Sequence, residues 1–145
     1  MDVANLPARL AAREARGRAM ALARMTSRCR NLRRTGRQPQ DESTGEQSPE
    51  WLVIHVDLPI RLDGGSSSDG GSRTVSMDGF SFEEATGIAH LPASTTDLAD
   101  GDYIDVTAGE WPGFVCSVVK ALRADQKTAR RVPIREESRP DEWGF

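Results

Sequence analysis

Hydrophobic and polar residues alternate most clearly just after residue 102, where a short strand is predicted. Ile104 and Val106 alternate with Tyr103, Asp105 and Thr107, so the segment has one apolar and one polar face. The turn before it, at 99–102, reads Ala-Asp-Gly-Asp, in which glycine can take a positive φ and aspartate can bond its own backbone. A second strand is predicted at 114–122, after a breaker cluster at 108–113. Short strands of this kind close small barrels and sandwiches.

The rest of the chain predicts one helix followed by further short strands. The segment Ala8–Ala23 has no proline and is rich in alanine and arginine, both strong helix formers. One narrow helix face is expected to dock on the chain's own barrel or on a neighbouring subunit, and it carries Ala12, Ala15, Ala19 and Leu22. Further strands are predicted at 25–34, 51–62, 73–77, 86–91 and 128–134, with a hairpin turn at 124–127. The predicted fold class is mainly β, a small β-barrel or sandwich with an N-terminal helix, a long flexible loop and extended termini.

This organisation predicts three regions and one barrel core. The regions are an N-terminal helical extension at 1–24, a barrel domain at 25–135 and a C-terminal tail at 136–145. Alternation at period two assigns five apolar residues to the core, namely Leu52, Ile104, Val106, Phe114 and Val118.

The net charge of −3 hides a strong asymmetry along the chain. Residues 1–37 hold ten arginines and two acidic residues, a net charge of +8, whereas residues 38–145 carry −11. The arginines lie around much of the predicted helix, without the interleaved aromatic residues on which single-stranded nucleic acid stacks. The charge pattern therefore favours docking on an acidic protein surface over direct binding of nucleic acid.

The residue types in this chain do not combine into a recognisable catalytic or metal site. Cys29 and Cys116 lack metal-ligand spacing, and Cys116 is expected to be a buried small hydrophobe. His55 and His90 have no second ligand at suitable spacing and are expected to be structural or surface residues. The glycine-rich stretch after Leu62 has no lysine and no following helix, so it fails the requirements of a phosphate-binding loop. We expect neither enzymatic activity nor a cofactor or metal ion, and no run of about 18 apolar residues predicts a membrane span.

The order of several short motifs resembles a known family of virion proteins. In sequence order they are Arg34-Thr35-Gly36, Ser43-Thr44-Gly45-Glu46, Leu58-Pro59-Ile60-Arg61, a glycine-serine loop, His90-Leu91-Pro92-Ala93, Asp100-Gly101-Asp102-Tyr103-Ile104-Asp105-Val106 and Lys127-Thr128-Ala129-Arg130-Arg131-Val132. Over about Ala15 to Ile134, this order resembles the head-to-tail stopper, a head–tail connector or neck protein of long-tailed bacteriophages of high-GC hosts.

The resemblance implies a structural role in the virion neck, assembled in the host cytoplasm. It implies a six- or twelve-fold homo-oligomeric ring between the portal with its adaptor and the tail terminator or tail tube. Such a ring closes the DNA channel after packaging and docks the tail, and DNA passes through its lumen without sequence-specific binding. A tail terminator or another neck ring is the alternative within the family. An OB-like barrel that binds nucleic acid is the alternative from a different class.

Three groups of residues are candidates for these contacts. Arg13, Arg16, Arg24 and Arg28 are expected to engage acidic surface on the next subunit or on the adaptor ring. Trp143 and Phe145 either anchor on a partner or cover the barrel, and the sequence leaves both open. A flexible loop is predicted to face the channel or the tail-docking surface, and it consists of Asp63, Gly64, Gly65, Ser66, Ser67, Ser68, Asp69, Gly70, Gly71 and Ser72.

Overall fold

A computed structural model describes residues 6–64, 75–77, 80–82, 85–121 and 129–143. Residues 65–72 of the predicted channel or docking loop, the predicted turn at 124–127 and Phe145 lie outside these residues. Asp63 and Gly64 were assigned to that loop wrongly, because the strand Trp51–Gly64 continues through them. Helix α1 comprises Leu6–Arg24, close to the predicted helix. None of its residues is buried, and the predicted face with Ala12, Ala15 and Ala19 is exposed. The helix approaches strands of the barrel through its other side, where Ala21 is half-buried and Met25, just beyond the helix, is buried.

Six antiparallel strands close into a barrel, which confirms the predicted fold class. In chain order the strands are β1 (Ser27–Arg34), β2 (Trp51–Gly64), β3 (Val75–Met77), β4 (Phe80–Phe82), β5 (Gly87–Pro92), β6 (Tyr103–Ala108), β7 (Val115–Val118) and β8 (Ala129–Glu136). Around the barrel the order is β1-β2-β5-β8-β7-β6, and β3 and β4 pair only with each other. The short strand β4 was not predicted.

Two register shifts in strand β1 interrupt the alternation of buried and exposed side chains. The shifts fall between Cys29 and Asn31 and between Asn31 and Leu32, where β1 pairs with β2. An extra residue in one strand of an antiparallel pair moves the following side chains to the other face. For this reason Cys29, Asn31 and Leu32 are all buried although their spacing is irregular. The segment is a strand, as predicted, despite its four arginines and its lack of clean alternation.

The core forms where the inward faces of all six barrel strands meet. Ile104, Val106 and Val118 are buried, as predicted, and Phe114 is half-buried against the same cluster. Leu52 was assigned to the core wrongly, because 53% of its surface is exposed. The first part of β2 pairs only with β1, so apolar residues there are not enclosed. The later part of the same strand reaches the core through Ile60.

The predicted turn before β6 forms as expected and helps to close one end of the barrel. Gly101 has a φ of 85°, and a carboxylate oxygen of Asp102 accepts a hydrogen bond from the backbone N–H of Ala99 at 2.9 Å. Leu98, which precedes this turn, is buried in the barrel core. The connection from β5 to β6 therefore contributes the apolar side chain of Leu98 to the core and the carboxylate of Asp102 to the turn.

The connection between β1 and β2, residues 35–50, continues the hairpin as an arm, which we name the acidic arm. The N–H of Thr35 donates to the carbonyl of Glu50 at 3.1 Å, and the N–H of Glu50 donates to the carbonyl of Arg37 at 2.9 Å. An isolated bridge joins Gln40 to Gln47 further along. Nearly all side chains of the acidic arm are exposed. It therefore offers surface for contact without contributing to the barrel core.

Candidate functional site

The four arginines predicted to dock on a partner all lie on accessible surface. Arg13, Arg16 and Arg24 belong to α1, and Arg28 lies near the start of β1. All four are exposed, and none forms a salt bridge with a residue that the structure describes. Their guanidinium groups can therefore reach a partner's carboxylates without first breaking an ion pair among these residues.

Two other arginines of the basic N-terminal part are already paired inside the chain. Arg33 binds Asp102 in a bidentate pair, with Nε to Oδ1 and Nη2 to Oδ2 both at 2.8 Å. Arg30 donates from Nε to Asp105 at 2.8 Å, and Arg139 donates to both oxygens of the same carboxylate at 3.1 Å. Both carboxylates are almost fully buried, so these pairs tie β1 and the C-terminal segment to β6. Sequence reasoning missed them, although the alternation of β6 had already placed Asp105 on the polar face.

An aromatic cluster holds the C-terminal segment against the barrel. The rings of Trp51, Tyr103 and Trp143 meet edge to face, with centroids 4.9 to 5.9 Å apart. The guanidinium groups of Arg30 and Arg139 each lie 5.4 Å from the Trp143 ring centre. Such contacts are favourable because the ring faces carry negative potential.

Trp143 is therefore placed to cover the barrel rather than to project from it. Its side chain belongs to a 3₁₀ turn at Asp141–Trp143 and is only 8% exposed. The preceding Glu142 accepts a hydrogen bond from Nε1 of Trp51 at 3.0 Å. A hydrogen bond from its own backbone and, after it, the bond from Trp51 hold the pKa of Glu142 below its ordinary value. Of the two functions that the sequence left open for Trp143, covering the barrel is the one that this position supports.

A group of cationic side chains, which we name the cationic cleft, lies between the end of α1 and the barrel wall. In the pairing register Arg61 of β2 stands opposite His90 of β5, and His90 stands opposite Arg131 of β8. Arg24 from α1 lines the same cleft, which has a volume of about 240 Å³. Asp63 contributes a carboxylate, with Oδ2 2.7 Å from His90 Nε2 and 3.2 Å from Arg61 Nη2.

The environment of the cationic cleft disfavours further positive charge. Burial lowers the pKa of His90 below its ordinary value, and the charges of Arg61 and Arg131 act in the same direction. The hydrogen bond with Asp63 opposes this shift. The neutral form of His90 is therefore favoured, and the positive charge of the cleft comes from its arginines. Linear spacing gave no signal for the cleft, because its residues come from four separate elements.

Each histidine gains a carboxylate partner that the sequence spacing did not reveal. Besides the pair of His90 and Asp63, Nε2 of His55 lies 2.8 Å from Oδ1 of Asp97. The hydrogen bond with His55 holds the pKa of Asp97 below its ordinary value. The carbonyl of Asp97 also accepts a bond from Arg33 at 2.7 Å. These contacts fasten the β5–β6 connection to the first two strands, which is a structural use of His55.

The two cysteines are buried, free thiols within the barrel. Burial raises the pKa of Cys29 to about 12 and raises the pKa of Cys116 even further. The thiolate is the reactive form, so both groups are poor nucleophiles at neutral pH. The burial of Cys116 was predicted. Among the described residues, no group of three or more His, Cys, Asp or Glu side chains is arranged to hold a metal ion.

Comparison with known families adds a family but no named activity. Residues 17–135 match a family of unknown function, DUF6093. The chain belongs to the DUF6093 family. The matched range contains the DUF6093 barrel, the acidic arm and the cationic cleft, whereas Arg13, Arg16 and Trp143 lie outside it. No curated protein and no solved structure matched the chain.

Across the described part of this DUF6093 chain, no helix combines the length and the apolar character that a bilayer crossing needs.

Proposed function

We propose that the chain is a ring-forming structural subunit of a bacteriophage virion neck. In this function it lies between the portal with its adaptor and the tail, closes the DNA channel after packaging and docks the tail. The observation that carries the proposal is helix α1, which spans 19 residues without burying one of them. The motif order described above supplies the virion context.

Helix α1 packs little of its surface on its own barrel and would gain stability from a partner. Even in helices longer than about 12–15 residues, most helical stability in proteins comes from packing an apolar face. In α1 the side chains of Leu6, Leu10, Met20 and Leu22 are 45% to 60% exposed. Packing of α1 against another subunit would cover these side chains and stabilise the helix.

The distribution of charge supports a head-to-tail contact between identical subunits. Helix α1 carries five arginines and one glutamate, whereas the chain after residue 37 carries −11. A ring is built from heterologous contacts, in which two different surfaces of the same chain meet and close by rotation. In the proposal Arg13, Arg16, Arg24 and Arg28 meet acidic surface on the next subunit or on the adaptor ring.

Attachment to heads tests this function directly. The full chain is mixed with purified DNA-filled, adaptor-bearing, tailless heads, and bound protein and retained DNA are measured. We expect stoichiometric binding and DNA retention for the wild type, and loss of both for a fourfold reversal of Arg13, Arg16, Arg24 and Arg28 to glutamate. Lys120→Glu, at an exposed cation, is the control. Wild-type protein that fails to bind heads, or to appear in purified virion necks, would overturn the proposal.

A nucleic-acid-binding barrel is the second candidate, and the cationic cleft is the observation that favours it. Phosphate binding by arginines would show a steep loss of affinity with salt, because counterions are released from the nucleic acid. Binding of wild-type protein to duplex or single-stranded DNA as tightly as to heads would support this candidate. A tail terminator would form the same kind of ring and would be distinguished by its position at the tail end in electron micrographs.

A further inference from the structure

We propose that one exposed face of helix α1 in each subunit docks on the acidic arm of the next subunit. The inference rests on the proposed ring, for which it names the surface that receives the helix. The partner is a second copy of this chain, so purified protein can show the contact without heads or tails.

One face of α1 combines exposed apolar side chains with arginines. Residues spaced alternately by four and three positions lie on one side of a helix. In α1 this spacing defines a face that we name the helix stripe, and it consists of Leu6, Leu10, Arg13, Gly17, Met20 and Arg24. Leu6, Leu10 and Met20 are 45%, 49% and 60% exposed. Arg13 and Arg24 are exposed and form no salt bridge with a residue that the structure describes.

The chain's own barrel leaves most of the helix stripe uncovered. Helix α1 approaches β5 and β8, and its half-buried Glu14 and Ala21 lie beside the stripe rather than on it. Within the described part of one chain, no hydrogen bond or ion pair joins α1 to the acidic arm. The stripe and the arm are therefore both accessible to a second copy.

The acidic arm carries the charge opposite to that of the helix stripe. Residues 38–50 contain four acidic residues and no lysine or arginine. Glu42 and Glu46 are exposed and form no salt bridge with any residue that the structure describes. Complementary charges across an interface speed the encounter of two proteins and fix their orientation. Docking of the stripe on the arm would place Arg13 and Arg24 near these carboxylates.

Hydrogen bonds fix the tip of the arm before any partner binds. The N–H of Asp41 donates to the carbonyl of Glu46 at 2.8 Å, and the N–H of Gly45 donates to the carbonyl of Asp41 at 2.7 Å. The Asp41 carboxylate accepts bonds from the hydroxyl and the N–H of Ser43, which hold its pKa below the ordinary value. A surface that is already ordered loses less conformational entropy on binding. Glu42 and Glu46 are thus presented by a preformed turn.

Exposed apolar side chains at the base of the arm match those of the helix stripe. Leu52 is 53% exposed and Val53 is 45% exposed. Successive side chains of a strand point to opposite faces, so one of the two lies on each face of the hairpin. A helix that docks on either face would cover one of them. Burial of apolar surface on both partners would supply most of the stabilisation, because exposed ion pairs contribute little.

Self-association of the full-length protein tests the charged part of the contact. Sedimentation velocity at low salt is run over a concentration series for the wild type and for Glu42→Lys/Glu46→Lys. We expect the double variant to associate about tenfold more weakly, which corresponds to about 1.4 kcal/mol. Glu110→Lys/Glu136→Lys makes the same change in net charge at exposed residues outside the arm, and should associate like the wild type.

A charge-swap experiment then identifies the helix stripe as the surface that meets the arm. Arg13→Glu/Arg24→Glu alone should also associate weakly. Mixing it with the arm double variant should restore a hetero-complex, because the reversed charges complement each other. Circular dichroism checks that each variant is folded and keeps its helix.

A pair of single substitutions tests which face of α1 makes the contact. Leu10→Gln, on the helix stripe, should weaken association about fivefold, since an apolar side chain that the contact would bury is lost. Ala15→Gln changes an exposed residue on the opposite side of the same helix and should leave association unchanged.

Four results would overturn the contact. They are wild-type-like association of the arm variant, a folded mixture that fails to restore association, equal effects of Leu10→Gln and Ala15→Gln, and a wild type that stays monomeric at all concentrations. The last result would assign the helix stripe to a different protein. If the swap restores association but the protein is absent from necks, the contact stands and the proposed function fails. If the wild type binds heads and the mixture fails, the function stands and the contact fails.

Discussion

Replacing Asp102 by alanine should destabilise the barrel strongly, because its carboxylate is 1% exposed and accepts three hydrogen bonds. It accepts hydrogen bonds from Nε and Nη2 of Arg33, both at 2.8 Å, and from the backbone N–H of Ala99 at 2.9 Å. Removing it leaves a guanidinium group without its partner and a turn N–H without its acceptor. Both losses act on the connection that closes one end of the barrel.

The expected magnitude follows from the burial of the two partners. Breaking a fully buried ion pair from one side costs about 3–5 kcal/mol. The Arg33 side chain is 36% exposed, so water compensates part of the loss, and about 2 kcal/mol is expected from the pair. The turn hydrogen bond adds about 1 kcal/mol. A total of about 3 kcal/mol should lower the melting temperature by roughly 10 °C in a chain of this size.

A double-mutant cycle with Asp102→Ala and Arg33→Ala, measured by urea unfolding and calorimetry, separates the pair from the turn. The coupling energy should be about 1–2 kcal/mol, since the two residues share one interaction. Glu14→Ala is the control, because Glu14 and Arg18 form an exposed pair at 3.9 Å whose loss should change stability by less than about 0.5 kcal/mol. A melting temperature of Asp102→Ala within about 2 °C of the wild type, or strictly additive single variants, would refute the reasoning.

Further substitutions examine the core, the tail and the thiols. Phe114→Ala should lower the free energy of unfolding by about 2 kcal/mol, less than the roughly 3–5 kcal/mol expected for a fully buried ring. Leu52→Ala should change it by less than about 0.5 kcal/mol, and chemical denaturation measures both. Equal losses for the two would contradict the assigned faces of the barrel. Trp143→Ala should cost about 3 kcal/mol in calorimetry, and a stability unchanged by it would mean that the tail does not cover the barrel. Burial holds the pKa of Cys29 at about 12, whereas the thiol of the unfolded chain ionises near 9. The free energy of unfolding should therefore fall as pH rises above about 9, and Cys29→Ala should make this fall smaller. Thiol reagents should modify Cys116 only on unfolding, and fast labelling of folded protein at pH 8 would disprove its burial.

Local patterns determined several features of this protein without any tertiary information. Alternation of apolar and polar residues marked β6 correctly, and the Ala-Asp-Gly-Asp turn before it adopts the expected conformation. The segment Ala8–Ala23 lacks proline and is rich in alanine and arginine, and this composition predicted helix α1. The burial of Cys116 followed from its apolar neighbours. These features depend on interactions between residues close in sequence, so a linear pattern contains them.

Only the tertiary structure decided which side chains meet and which faces are covered. The bulges in β1 reset its alternation, and the missing second neighbour of β2 leaves Leu52 exposed. The cationic cleft exists because the register of three strands sets Arg61, His90 and Arg131 side by side. Such contacts join residues far apart along the chain, and a shift of one residue in register would send every side chain to the opposite face. Register is fixed by the closure of the whole barrel, which no single segment encodes.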